Sequence, residues 1–303
     1  MQKAKMFTLF AIVILTWGST WLAMKFALVS MPPIFATGLR FLSAAPLLLW
    51  LLRITRSTLL FPPGHRIFQF CVFLFCYCLP FTLVLYGEQY VDPSTAAIIF
   101  AVMPVAVMLI SIVVLNAPTS LLQLMGAMLA LLSLFCILQE EARVSMSNNW
   151  KGALAVVLAV FMHAFMYVQC KKRSCQVSLF TFNTLPCLAA GLILTMIGVI
   201  VEKPMLENIT LLSFASIIYL GIVAGVFGIL CYFSLQKRIS TFSTSLVFIC
   251  FPVITVFLEC LLMDSVFSQT SWALLAMMLG GVFLSLISVE KRKRVSTSQQ
   301  QWN

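Results

Sequence analysis

Apolar residues run along this chain in ten long blocks, at about 6 to 28, 34 to 52, 67 to 87, 94 to 115, 121 to 138, 152 to 170, 179 to 201, 209 to 233, 242 to 263 and 270 to 289. About 20 apolar residues in a helix cross a hydrocarbon core about 30 Å thick. Backbone exposed to lipid must satisfy its own polar groups, and the blocks lack the alternating polarity of a barrel strand, so each is predicted to be a helix. Breakers stand at the joints: Pro32 and Pro33, Pro62, Pro63 and Gly64, Pro93, Pro118, and Pro204. The predicted fold class is an all-α integral membrane protein of ten transmembrane helices.

Composition agrees with that pattern. Of 303 residues, 62% are hydrophobic and 9% charged, where a soluble domain carries about 25% charged residues. The net charge of +10 reads as membrane orientation, and no nucleic-acid partner is expected. With the N-terminus inside, fourteen of the nineteen Lys and Arg residues fall on the cytoplasmic side: Lys3, Lys5, Arg53, Arg56, Arg66, Lys171 to Arg173, Lys237, Arg238 and Lys291 to Arg294. Arg143, Lys151 and Lys203 fall outside, among Glu88, Asp92, Glu140, Glu141, Glu202, Glu207 and Asp264. Both termini are therefore expected in the cytoplasm. The ten cysteines fall mostly inside apolar blocks, with only Cys170 and Cys175 near a loop. They read as apolar filler without a structural disulfide. The first block is too long for the apolar core of a signal peptide and is expected to be retained as a span.

The two halves resemble each other. The fourth block contains Pro93-Ser-Thr-Ala-Ala and then Pro104, the ninth contains Ser240-Thr-Phe-Ser-Thr-Ser and then Pro252, and the two mid-block prolines lie 148 residues apart. This register predicts a duplication of five spans, with residues 1-145 and 146-290 as the two repeats and 291-303 as a basic tail. Five is odd, so the second copy enters from the opposite side and the repeats are inverted, a ground plan of secondary transporters.

No Walker loop, zinc-protease helix or nucleophile elbow is present, so no catalytic residue, metal or cofactor is expected. The candidate residues are polar or aromatic groups inside the blocks. Trp17 and Trp21, four residues apart around Gly18, Ser19 and Thr20, share one helix face and suit either stacking on a substrate or helix packing. Pro104 and Pro252 interrupt hydrogen bonding near mid-span and are candidate kinks. His163 would hydrogen-bond a substrate, relay a proton or simply pack, and Tyr86, Tyr167 and Tyr232 offer hydroxyls near the expected cavity. Lys25, Arg40 and Glu259 are charges within spans, which usually face the protein interior. Lys25 is expected to snorkel. Arg40 and Glu259 lie about 9 Å and about 6 Å below the same boundary at 1.5 Å per residue. Arg40 is therefore expected to pair with Glu259 or Glu88 as a gate; the alternative is that its planar fork holds a substrate carboxylate.

These residues carry a resemblance. The stretch W-G-S-T-W-L-A-M-K at 17 to 25, M-P-P at 31 to 33, G-L-R-F at 38 to 41, Y-G-E-Q-Y-V-D-P-S-T-A-A at 86 to 97, Pro104, the Lys171 to Arg173 cluster and Pro252 together resemble the EamA-type transporters of the drug/metabolite transporter superfamily. The resemblance implies two EamA repeats, a cavity lined mainly by spans 1, 3, 4, 6, 8 and 9, alternating access, and export of amino acids or other small metabolites across the inner membrane. One departure concerns the Gly-Glu that the family often has after spans 4 and 9, where this chain has Asn116-Ala117 and Asp264-Ser265. The expected partners are a small-molecule substrate, membrane lipid, protons as a candidate coupling ion, and a second copy of the chain as an open question. An uncoupled facilitator or exchanger on the same scaffold is the alternative, and an intramembrane enzyme a third reading that lacks a cluster of acid, base or metal ligands.

Overall fold

The computed structural model describes residues 2–144, 150–173, 177–236, 238, 244, 246–263, 265 and 267–300. Nine helices long and apolar enough to cross a membrane occur among the described residues: α1 (Met6–Ala27), α2 (Pro33–Ile54), α3 (Arg66–Gly87), α4 (Pro93–Leu115), α5 (Leu121–Glu141), α6 (Trp150–Cys170), α7 (Leu179–Val201), α8 (Leu211–Gln236) and α10 (Gln269–Leu286). The remaining one, α9 (Val247–Leu262), is shorter. Its described length of 16 residues amounts to about 24 Å at 1.5 Å per residue. The expected start at 242 lies outside the described residues, as do Ser240 to Ser243 and Asp264. The nine described cysteines are free thiols, and Cys175 lies outside the described set.

Helix starts follow the local chemistry. Ser178, Thr210 and Ser268 cap α7, α8 and α10 by accepting from Thr181 N, Ser213 N and Ser271 N. Ser120 and Gln123 form a reciprocal capping box at α5, with Ser120 N donating to Gln123 Oε1 at 2.9 Å. The two helices that begin with proline, α2 and α4, have Pro32 and Asp92 at the cap position, and neither makes a side-chain cap bond.

The helices pack as two copies of one unit. α2 lies along α7 and α5 along α10; α1 meets α8 and α9 as α6 meets α3 and α4, and α2 meets α8 as α7 meets α3. Exchanging the first five helices with the last five carries each of these contacts into another of them. Glycines set the closest crossings: a Cβ at Gly126 of α5 would sit 2.7 Å from the Gly281 carbonyl oxygen of α10, and one at Gly281 would sit 2.7 Å from that of Gly126.

Three spans depart from regular α-helix. α4 breaks at Val102, between Pro93–Ala101 and Met103–Leu115. The break follows from Pro104, which has no N–H for the Phe100 carbonyl. α9 stays helical through Pro252. The segments Phe73–Cys78 of α3 and Tyr219–Phe227 of α8 are π-helical, a geometry frequent at functional sites, and they occupy equivalent helices of the two repeats. Asn116 ends α4 at φ 48°, ψ 40°. This left-handed conformation is one that Gly adopts freely and Asn tolerates, so the departure from the family's glycine is accommodated.

Candidate functional site: an aromatic path between the repeats

Ring contacts run unbroken across helices of both repeats. Tyr232 of α8 stacks on Trp17 of α1 at 4.9 Å, and Trp17 meets Phe248 of α9 at 6.0 Å. Phe248 touches Phe251, which lies 6.2 Å from Trp21. Trp21 meets Phe100 of α4 at 5.4 Å, Phe100 meets His163 of α6 at 5.8 Å, and His163 meets Phe81 of α3 at 5.2 Å. Phe81 lies under the Arg40 guanidinium, 4.7 Å from Cζ, and packs edge-on against Phe41 of α2. The path thus draws on α1, α3, α4, α6, α8 and α9, with α2 adding Arg40 and Phe41 at one end. The break at Val102 and the π-helical segment of α8 both fall beside it.

The four-residue spacing of Trp17 and Trp21 puts both on this path, and Trp21 is buried. Ser19 holds a different contact: its hydroxyl donates to the Leu15 carbonyl and lies 2.6 Å from the Tyr219 hydroxyl, where α8 crosses α1. Thr255 of α9 donates to the Gly18 carbonyl at 2.8 Å. Gly18 itself has the Ile254 side chain where a Cβ would stand, which explains the small residue between two tryptophans. Tyr86 is not on the path; its ring packs against Tyr90, with 37% of its surface exposed. Tyr167 is 53% exposed.

The charged residues are arranged differently from the expected gate pair. Glu259 accepts from Ser94 N at 2.6 Å, so it caps α4, whose own cap residue Asp92 leaves the first turn unserved. Both carboxylate oxygens of Glu88 are buried without a hydrogen-bond partner. Lys25 Nζ donates to the Glu88 backbone carbonyl at 3.3 Å. Arg40 is 8% exposed and donates from Nη1 to Met24 Sδ at 3.6 Å. Glu88 lies within electrostatic range of Lys25, Arg40 and Glu259, but Arg40 bonds to neither carboxylate.

Sequence reading missed a second device, on the distal face where α1 ends. Glu202, at the end of α7, accepts from Ile34 N at 3.0 Å and Phe35 N at 2.8 Å, capping α2 in place of Pro32. Glu141, at the end of α5, accepts from the Ser271 hydroxyl in the first turn of α10 at 2.9 Å. Ser30, after α1, accepts from Thr210 N, the cap residue of α8, at 3.0 Å. With Glu259 on α4, these contacts tie the C-terminal ends of four helices to the N-terminal ends of four others. Every tie joins one repeat to the other.

The model of the EamA-like transporter family matches residues 4–139 and 150–287, once for each set of five helices. The chain belongs to the EamA-like transporter family. Among its relatives, protein PagO of Salmonella typhimurium is 47% identical over 304 residues, covering 99% of this chain and 100% of PagO. An uncharacterized transporter of Buchnera aphidicola subsp. Schizaphis graminum is 43% identical over 97% of this chain and 98% of its own length. The uncharacterized inner membrane transporter YedA of Escherichia coli K12 is 26% identical over 91% and 88%. A solved crystal structure matches with a TM-score of 0.67 at 16% identity, over 95% of this chain and 98% of that one; this likeness concerns the fold. As a member of this family the chain is a multi-pass membrane transporter.

Proposed function

We propose that the chain is a secondary transporter that exports a small metabolite or amino acid across the bacterial inner membrane by alternating access, with both termini in the cytoplasm. The observation that carries the reading is the aromatic path, because it lies between the two repeats and draws rings from both. Trp17, Trp21, His163 and Tyr232 would then line the route, and Pro104 and Pro252 would let α4 and α9 bend as the repeats rock against each other. The distal ties support the closed half of such a cycle: each joins opposite repeats through a hydrogen bond that must break for that face to open.

Counterflow in liposomes loaded with a panel of amino acids and organic metabolites tests the proposal. A panel member should accumulate against its external tracer, and the Trp21→Ala variant should reduce the rate at least tenfold. Imposing and then collapsing a pH gradient separates a proton-coupled exporter from an uncoupled facilitator or exchanger. Equal accumulation in empty liposomes and in those holding the protein, across the panel, would refute the transport reading.

A further inference from the structure

We infer that Arg40 anchors a carboxylate on the transported molecule, while the adjoining rings receive the apolar body of the same molecule. The ligand class is therefore a compact organic carboxylate with no more than one net negative charge. This inference rests on the transport reading in taking the aromatic path as the route.

Arg40 lies seven residues into α2, about 10 Å below the distal boundary at 1.5 Å per residue. A charge at such depth is costly unless it is paired. A guanidinium has five N–H donors in a planar fork, and here Nη1 to the Met24 sulfur is the one hydrogen bond the fork makes among the described residues. Sulfur is a weak acceptor. Phe81, with its ring centroid 4.7 Å from Arg40 Cζ, attracts the cation through its π face but accepts none of the fork's N–H bonds in the way an oxygen would.

The carboxylates that would otherwise neutralise Arg40 are otherwise placed. Glu259 is held by the Ser94 N–H, and the Glu88 oxygens are sealed from solvent without reaching a donor. A fork with unused parallel donors is the geometry that takes a carboxylate through two bonds. Charge sets the valence. Glu88 faces Arg40, Lys25 and Glu259, and Asp92 stands beside Glu259, so the surroundings of the fork are already rich in carboxylates. A monoanion or a zwitterion adds at most one charge, and a phosphate dianion would add two next to two acidic residues.

The remainder of the ligand is set by what adjoins the fork. Phe81 touches both Arg40 and His163, and the path continues through Phe100 to Trp21. A molecule with its carboxylate on Arg40 would lay its body along those rings.

The test uses the full-length protein in detergent and two probes of one shape, phenylacetate and its neutral isostere phenylacetamide, read by the thermal unfolding midpoint and by fluorescence of the path tryptophans. Phenylacetate should bind wild type at least tenfold more tightly than phenylacetamide. Arg40→Lys, which keeps the charge and loses the fork, should weaken phenylacetate at least tenfold, and Arg40→Met should abolish the preference. Arg40→Met should still fold, because an unpaired buried cation adds little to stability; should it not, Arg40→Lys decides alone. Equal binding of the two probes to wild type, binding of neither, or a preference that survives Arg40→Lys would overturn the anchor. If phenylacetate binds as expected while counterflow fails, the transport reading falls and the anchor stands; the reverse outcome removes only the anchor.

Discussion

Removing the Glu202 carboxylate should loosen the distal end of α2 and leave the rest of the bundle in place. The first turn of any helix presents orphan N–H groups. At α2 the residue that would cap them is Pro32, which makes no side-chain cap bond, and Pro33 has no N–H. Glu202 therefore serves both Ile34 N and Phe35 N from the other repeat. Loss of a helix cap costs about 0.5–2 kcal/mol, and loss of a negative charge at a helix N-terminus about 0.3–1 kcal/mol. Together they place Glu202→Ala at roughly 1–3 kcal/mol, which corresponds to about 5- to 150-fold in an equilibrium. Hydrogen–deuterium exchange read by mass spectrometry reports this directly. The peptide holding Ile34 and Phe35 should exchange about 5- to 150-fold faster in Glu202→Ala, following that energy range, and the peptide starting at Ser94 should be unchanged. Glu202→Gln, which keeps one acceptor oxygen, should fall between the two proteins. Unchanged exchange at Ile34 and Phe35 in Glu202→Ala would show that the capping bonds do not hold this face, and the view of the distal ties as a latch would fail.

Other outcomes follow from the same geometry. Gly281→Val should sharply lower the yield of monodisperse protein, because its Cβ would stand 2.6 Å from Ala130 N, whereas Gly280→Val, with nothing within 4 Å of its Cβ, should be tolerated; equal yields would contradict the close α5–α10 crossing. Pro104→Ala gives the Phe100 carbonyl a donor and should straighten α4, so flux should fall while the protein remains inserted, and undiminished flux would reduce the break to packing. Reporter fusions after Gly64 and after Asn208 should report opposite sides, the first cytoplasmic; the same side for both would overturn the orientation drawn from the Lys and Arg residues.

Much of the fold was legible because membrane spans leave two strong marks, the length of an apolar block and the punctuation at its ends. Pro33 and Pro93 announced the starts of α2 and α4, and Pro104 announced the break at Val102. The π-helical segments in α3 and α8 left no such mark, since Phe73–Cys78 and Tyr219–Phe227 are as uniformly apolar as their surroundings. For the site, the spacing of Trp17 and Trp21 was informative because four residues nearly complete a helical turn. The rings they meet come from three other helices, and no spacing in the sequence encodes that. Charge complementarity pointed from Arg40 to Glu259, but backbone donors are not visible as letters. Ser94 N was a competing donor that became evident only with the cap of α4 in view. Glu202 was passed over for the same reason, since an acidic residue in a loop reads as an orientation signal until the uncapped helix beside it is seen.

Alternating access requires the distal face to open during transport. Ser30 Oγ and Thr210 Oγ1 lie 3.4 Å apart across the two repeats, so Ser30→Cys with Thr210→Cys places two thiols where copper phenanthroline can join them. In liposomes, the oxidised double variant should lose counterflow of the panel member that the wild type accumulates, and dithiothreitol should restore it, with neither single variant affected. Full counterflow in the oxidised, cross-linked protein would contradict alternating access through the space between the repeats.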